Sequence, residues 1–286
     1  MKKLIINADD FGLCDSVNLG ILECLKHGIV SDFSFMINKK EFDNSHRLLC
    51  EEGIRNVGFH LNLTVGNSIS VQNSTLTDQS GKFFKLPTLF FKIISGQIPT
   101  SDIYSEIKAQ IELLKNLGYT ITHIDSHTNI HLLPIVFDSL LKIINEMNLK
   151  VPVRIPLERQ INLFRMNRSN VIRIFILNFL SWYVIFRMRY RNGIQTIGGD
   201  FFNNRNQPQV LDHVLQRIIK SKFEVFEMAV HPGFPSADIA LYDGYNGQRQ
   251  WEFNVLSEKR NFKFNSEIKL CSFGEVVKNY QKAIIG

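Results

Sequence analysis

Short β-rich apolar runs alternate with longer helical patterns along nearly all of the 286 residues, and this alternation restricts the fold more than any other feature. Lys3–Asn7 reads as a strand, Val17–Gly28 as a helix, Phe33–Ile37 as a strand, Glu41–Glu52 as a helix and Asn56–Leu63 as a strand. A loop-rich stretch, 66–100, precedes a helix at Asp102–Leu117, which Gly118 is placed to end. Strand Thr120–Asp125, helix Ile135–Asn148 and strand Val151–Ile155 follow. Beyond an arginine-rich segment come strand Ile194–Ile197, helix Gln209–Ser221, strand Val225–His231, helix Gly247–Lys259, strand Ile268–Cys271 and a last helix from Phe273. Seven or eight strands, each followed by a helix, argue for parallel βα units. No linker divides them. The prediction is an α/β chain with one domain over 1–286: a distorted, TIM-barrel-like (β/α) barrel with an apolar, arginine-rich helical insertion at about 157–192. An open doubly wound sheet is the alternative. No G-x-G-x-x-G follows a strand and no Walker A sequence is present, so no nucleotide cofactor is indicated.

Composition narrows the class. A hydrophobic share of 44% excludes a mostly disordered chain. The four cysteines show no C-x-x-C pair, which argues for reduced thiols rather than a disulfide framework or zinc ribbon. Only three apolar positions precede Asn7-Ala8-Asp9-Asp10, too few for a signal-peptide core, so a cytoplasmic protein is expected. The net charge of +6 is local: Arg154 to Arg191 holds eight arginines, no lysine and one acid, Glu158, while the remainder is −1. No nucleic-acid-binding motif accompanies it, so nucleic acid is not an expected partner.

Chemistry-capable residues collect at predicted strand ends. Asp9 and Asp10 follow the first strand, His60 and Asn62 end the third, Asp125 and His127 the fourth, Arg154 the next, and His231 the penultimate one. In a parallel βα barrel those ends share one rim, where active sites sit. Each piece has a plainer reading. Asp9-Asp10-Phe11-Gly12 suits a tight turn, His60 a hydrogen-bonded core histidine, and His231 before Pro232-Gly233 a strand end. Their coincidence on one rim is harder to explain, because burying so many ionisable groups without a ligand is costly. One Asp and two His make a facial set for a divalent metal, a neighbouring carboxylate can act as general base, and a further histidine can protonate a leaving group. The residues therefore point to metal-assisted hydrolysis of an amide or ester.

Four ordered motifs carry a resemblance: Asn7-Ala8-Asp9-Asp10-Phe11-Gly12-Leu13; Gly58-Phe59-His60-Leu61-Asn62-Leu63-Thr64; Thr122-His123-Ile124-Asp125-Ser126-His127 with His131-Leu132-Leu133-Pro134; and His231-Pro232-Gly233. With Arg249-Gln250-Trp251-Glu252 beyond them, the sequence resembles the YdjC-like carbohydrate deacetylases, relatives of the chitooligosaccharide deacetylases. The resemblance implies a distorted β/α barrel, one divalent ion (Mg2+ or Zn2+) and removal of acetyl groups from N-acetylated sugars or oligosaccharides. It implies Asp10, His60 and His127 as metal ligands, Asp9 as catalytic base, His231 as acid or transition-state stabiliser, and Asp125, His131, Arg154 and Asn62 on the substrate side. The family often has a histidine where this chain has Asn129, which bears on sugar identity. Rival readings are hydrolysis of another acyl sugar (formyl or O-acetyl, including a lipid-linked one) and non-catalytic sugar binding.

Val171–Phe186 is apolar and runs into Arg187, Arg189 and Arg191. Its uninterrupted part is shorter than the ~20 residues a bilayer span needs. A buried helix, a homodimer interface, or peripheral membrane contact through 171–191 would each account for it.

Overall fold

The first strand organises the molecule. In the computed structural model, which describes residues 1–37, 42–70, 75–157, 168–188, 193–197, 210–242, 246–258 and 266–277, β1 spans Lys2–Phe11 and is buried from Leu4 onward. It pairs in parallel with β6 (Val225–Val230) along one edge, from Lys3 to Ala8. The other edge takes β7 (Ile268–Leu270) against Lys2–Leu4 and β2 (Asp32–Phe35) against Asn7–Phe11. Next to β2 lie β3 (Asn56–Leu61) and β4 (Thr120–Ser126), and β5 (Ile194–Ile197) lies beyond β6. All pairings are parallel, in the order β4-β3-β2-β1-β6-β5.

The sheet curls but does not close by a ladder. Val153 forms a single bridge to Ile124 of β4, where a full strand at Val151–Ile155 was predicted. Pro152 and Pro156 lack the N–H that a longer ladder needs. Across the remaining gap, β5 reaches this segment through side chains: Gln195 Nε2 donates to the Leu157 carbonyl at 2.7 Å and Thr196 Oγ1 to that of Ile155 at 2.9 Å. The fold is thus the expected distorted, open barrel with inserted helices.

Amphipathic helices cover the sheet: Asp15–Lys26, Phe42–Glu51, Thr100–Asn116, Pro134–Glu146 and Val210–Lys220. Gly118, at φ +81, follows the end of the helix Thr100–Asn116 as predicted. The loop-rich stretch contains an unpredicted helix, Leu86–Ile94, with Pro87 in its first turn. A further short helix, Ala237–Tyr242, precedes Asn246–Leu256. The predicted ends at Gln209, Lys259 and beyond 277, together with Glu41, lie outside the described residues.

Candidate metal centre

Adjacent residues on a regular strand point to opposite faces, yet Asp9 and Asp10 both reach one site. A bulge accounts for this. Ala8 pairs with Phe33 and Phe11 with Phe35, so β1 carries one residue more than β2 between those pairs. Asp10 takes φ +72, a left-handed conformation that a non-glycine residue adopts at a cost and that concentrates at functional sites. Gly12 (φ +95) then turns the chain, and a Cβ there would lie 2.1 Å from the Met36 carbonyl oxygen. The Asp pair is therefore part of the strand end rather than a turn after it.

His60, on β3, sits in register with Asp125 on β4. Its Nδ1 donates to Asp125 Oδ1 at 2.7 Å. That bond orients the ring and turns Nε2 toward Asp10 Oδ1, 3.1 Å away. Nε2 is buried and makes no hydrogen bond despite that approach. His127 follows β4 and brings Nδ1 to 2.8 Å from the same Oδ1. Asp10, His60 and His127 thus present three ligand atoms within 4.8 Å of one another.

The fit to a divalent ion is good. Ligand atoms ~2.0–2.2 Å from one ion lie about 3.0–3.5 Å apart, close to the contacts seen here. A buried imidazole nitrogen with no hydrogen bond, on a ring whose other nitrogen serves a carboxylate, has the arrangement of a metal-binding histidine with its supporting carboxylate. A second cluster, Asp9, His60 and Asp125, shares His60. Its two carboxylates are already paired with Arg154, and it fits an ion less well.

Charge explains how these groups coexist. Arg154, buried, donates through Nη1 to Asp9 Oδ2 at 2.5 Å and through Nη2 to Asp9 Oδ1 at 2.8 Å. Its Nη2 also lies 2.8 Å from Asp125 Oδ2, and Nε donates to Glu227 Oε1 at 2.6 Å. Arg249 Nη2 donates to Asp10 Oδ2 at 2.6 Å. Burial pushes the Asp10 carboxyl up, but His127 and Arg249 outweigh it and hold it well below the usual range. Burial pushes the His60 imidazole down, while Asp125 and Asp10 override it and raise it to about 10. Glu227 goes the other way: burial lifts it to about 7 against the pull of Arg154. Four carboxyls facing two guanidiniums leave an excess of acid, which suits a divalent cation.

The remaining expected residues fall into two groups. His231, following β6, is 26% exposed and places Nε2 3.8 Å from Asp9 Oδ2. Its backbone N–H donates to Glu252, and Gly233 donates to the Arg249 carbonyl at 3.2 Å. On the other side Gly20 lies so close that a Cβ there would meet Gly233 Cα at 2.7 Å, so the loop is clamped between two helices. His131 and Asn62 instead have internal partners. His131 accepts from Ser126 Oγ through Nδ1 at 2.5 Å and donates through Nε2 to the Arg154 carbonyl at 2.9 Å. It shares no helical face with His127, because Thr128 and Asn129 both take φ +57 between them. Asn62 Oδ1 accepts from the Thr64 and Val65 N–H groups at 3.0 Å each, closing a turn.

Arg249, Glu227 and Glu252 were not singled out from the sequence. A signal existed: Gln248, Arg249 and Glu252 are buried with Leu256, so polar residues occupy the inward face of the helix. Glu227 is a lone acid inside an apolar strand.

Fold and site together define a metal-dependent hydrolase on a curled parallel βα sheet. A family profile described as "YdjC-like protein" matches residues 3–265, and the chain belongs to the YdjC-like carbohydrate deacetylase family. It is 28% identical over 279 residues to a carbohydrate deacetylase of Brevibacillus brevis, covering 96% of this chain and 99% of that one. A chitooligosaccharide deacetylase of Yersinia enterocolitica is 36% identical over 155 residues, 54% of this chain and 59% of the relative. In fold, the chain is similar to the crystal structure of an Enterococcus faecalis protein thought to cleave cellobiose phosphate, with TM-score 0.73, 24% identity and coverage of 96% and 98%.

Proposed function

We propose that the chain is a metal-dependent deacetylase that removes acetyl groups from N-acetylated sugars. The observation that carries this reading is the Asp10–His60–His127 cluster with Asp9 set beside it and held by Arg154. Asp10, His60 and His127 are the proposed ligands of one divalent ion, and two imidazoles favour Zn2+ over the oxygen-preferring Mg2+. Such an ion supplies Lewis-acid polarisation of the scissile carbonyl.

The chain's own residues do the rest. Asp9 is the proposed general base: Arg154 fixes the plane of its carboxylate, whose further lone pairs can take a proton from the attacking water. His231, on the more exposed side of Asp9, is the proposed acid for the departing amine, a poor leaving group without that proton. Asp125 orients His60, and Arg154 orients Asp9. We assign His131 and Asn62 to holding the rim: the first ties the turn after β4 to Arg154, the second shapes the loop after β3. Four free cysteines, three of them buried, support a reducing cytoplasmic setting. Among the described residues, no helix is long and apolar enough to cross a membrane.

The deciding experiment is acetate release from N-acetylglucosamine oligomers by metal-loaded protein, repeated with a chelator and after adding Zn2+ or Mg2+ back. Release that stops on chelation and returns with metal is expected. Release only from O-acetyl or formyl sugars would shift the reading to another acyl hydrolase. Sugar binding with no release from any acyl sugar would leave a binding protein.

A further inference from the structure

The helix Arg168–Met188 docks along one side. Ser181 and Val184 are buried, while Leu177, Leu180 and Met188 pack against the core. Tyr183 Oη donates to Asp138 Oδ2 at 2.8 Å and Arg187 Nε to Asp138 Oδ1 at 2.7 Å, fixing the helix to Pro134–Glu146. The opposite side is also apolar. Ile172, Phe175, Ile176, Phe179, Trp182 and Phe186 are all at least half exposed, with Phe179 at 76% and Phe186 at 78%. Their spacing of three and four residues makes one continuous stripe along a helix about 30 Å long. A contiguous exposed apolar stripe of this kind marks an interaction site.

Charge decides between the occupants. From Arg159 to Arg191 the sequence holds seven arginines and no acid or lysine. Two copies of a segment with this excess of positive charge in its sequence repel each other, which opposes a stripe-to-stripe pairing. An anionic lipid surface has the complementary charge, and arginines flanking an aromatic face are the usual composition of a helix lying in the headgroup region. Four of the six stripe residues are aromatic, and one is tryptophan, which favours that region. The docked side of the helix also packs on the turn His127–Leu132. A second helix, Leu86–Ile94, lies in the connection leaving the C-terminal end of β3, near His60, and exposes Phe90, Phe91 and Ile94.

We propose that this stripe is a peripheral docking face for an anionic bilayer, with the helix lying in the plane of the surface. It does not depend on the deacetylase reading, since vesicle binding is measured without substrate. The test is co-sedimentation of the full chain with phosphatidylcholine vesicles and with vesicles containing about 30% phosphatidylglycerol. Binding is expected only to the anionic vesicles. It should weaken at least about tenfold in the Phe179→Ser, Phe186→Ser double variant and in about 0.5 M salt. Because both side chains are mostly exposed, the double variant should keep the wild-type Tm and metal content. An independent readout needs no change to the stripe: in a Trp251→Phe background Trp182 is the sole tryptophan, and its emission should shift to the blue when anionic vesicles are added. No sedimentation with anionic vesicles, an unshifted Trp182, or equal binding by the double variant would each overturn the proposal. So would a wild-type dimer that ignores vesicles and becomes a monomer in the double variant, since the stripe would then be a contact between copies.

Discussion

The strand-end cluster and the helix Arg168–Met188 use opposite means to satisfy their side chains. In the cluster, charged groups from distant parts of the chain answer one another: Asp9 meets Arg154, Asp10 meets Arg249, and His60 meets Asp125. Each partner fixes the others' positions, and most are buried. The inserted helix is tied on its inner side, through Asp138 and the core. Its outer side presents isoleucine and phenylalanine to the surroundings. The first region is specified by the chain itself. For the second we propose a partner outside the chain.

That contrast is broken or sharpened most strongly at the metal ligands. Asp10→Ala or His60→Ala should take metal content, measured by elemental analysis, from near one ion per chain to trace levels, and deacetylation to background. Normal metal content in both variants would show that the cluster is a structural polar network rather than a centre. A smaller effect is expected at Asp9. Asp9→Asn removes proton-accepting capacity but leaves Arg154 with Asp125 and Glu227, so the fold and metal content should persist. Turnover should fall by about 10²–10⁴-fold; near-normal turnover would remove Asp9 from the mechanism.

The third prediction concerns stability, and it tests whether the surroundings of the cluster are as rigid as its contacts indicate. Burial pushes the His131 imidazole down to about 4. Between the ordinary histidine value and about 4, the unfolded chain binds a proton that the folded chain refuses, so stability falls as pH falls through that window. Fully developed, the loss is roughly 3 kcal/mol. Chemical denaturation from pH 7.5 to 4.5 should therefore show a shallower pH slope in His131→Gln than in wild type, on top of a lower stability at neutral pH. Equal slopes would mean that His131 titrates as freely as a surface residue.

Much of the candidate site was legible because βα alternation places strand ends together, and five such ends carried Asp, His or Arg. That placement gathered one Asp and two His for a metal, and the family resemblance singled out Asp10, His60 and His127. Arg249 was not legible in the same way. It arrives from a helix, where its role depends on which face turns inward, and an arginine is ordinarily counted as solvent-facing. The surroundings of His131 were hidden for a related reason: Thr128 and Asn129 take left-handed conformations before it, and its ring bonds Ser126 and the Arg154 carbonyl in the interior. The open seam between the Ile155–Leu157 segment and β5 was likewise hidden, since strand propensity around Val153 conflicts with the flanking prolines, and side-chain bonds settle the outcome.

The pairing of β1 has a consequence for how the chain is made. Residues 2–11 are made long before their partners: they obtain β6 only after Val225 and β7 only after Ile268 has been synthesised. Contacts of such long sequence separation slow folding and leave early strands waiting. Until then β1 has one neighbour, β2, and Asp10 lacks Arg249. The acidic pair therefore reaches its final surroundings only once Arg249 has been made, and until β6 has been made the nascent chain carries an open, apolar strand edge.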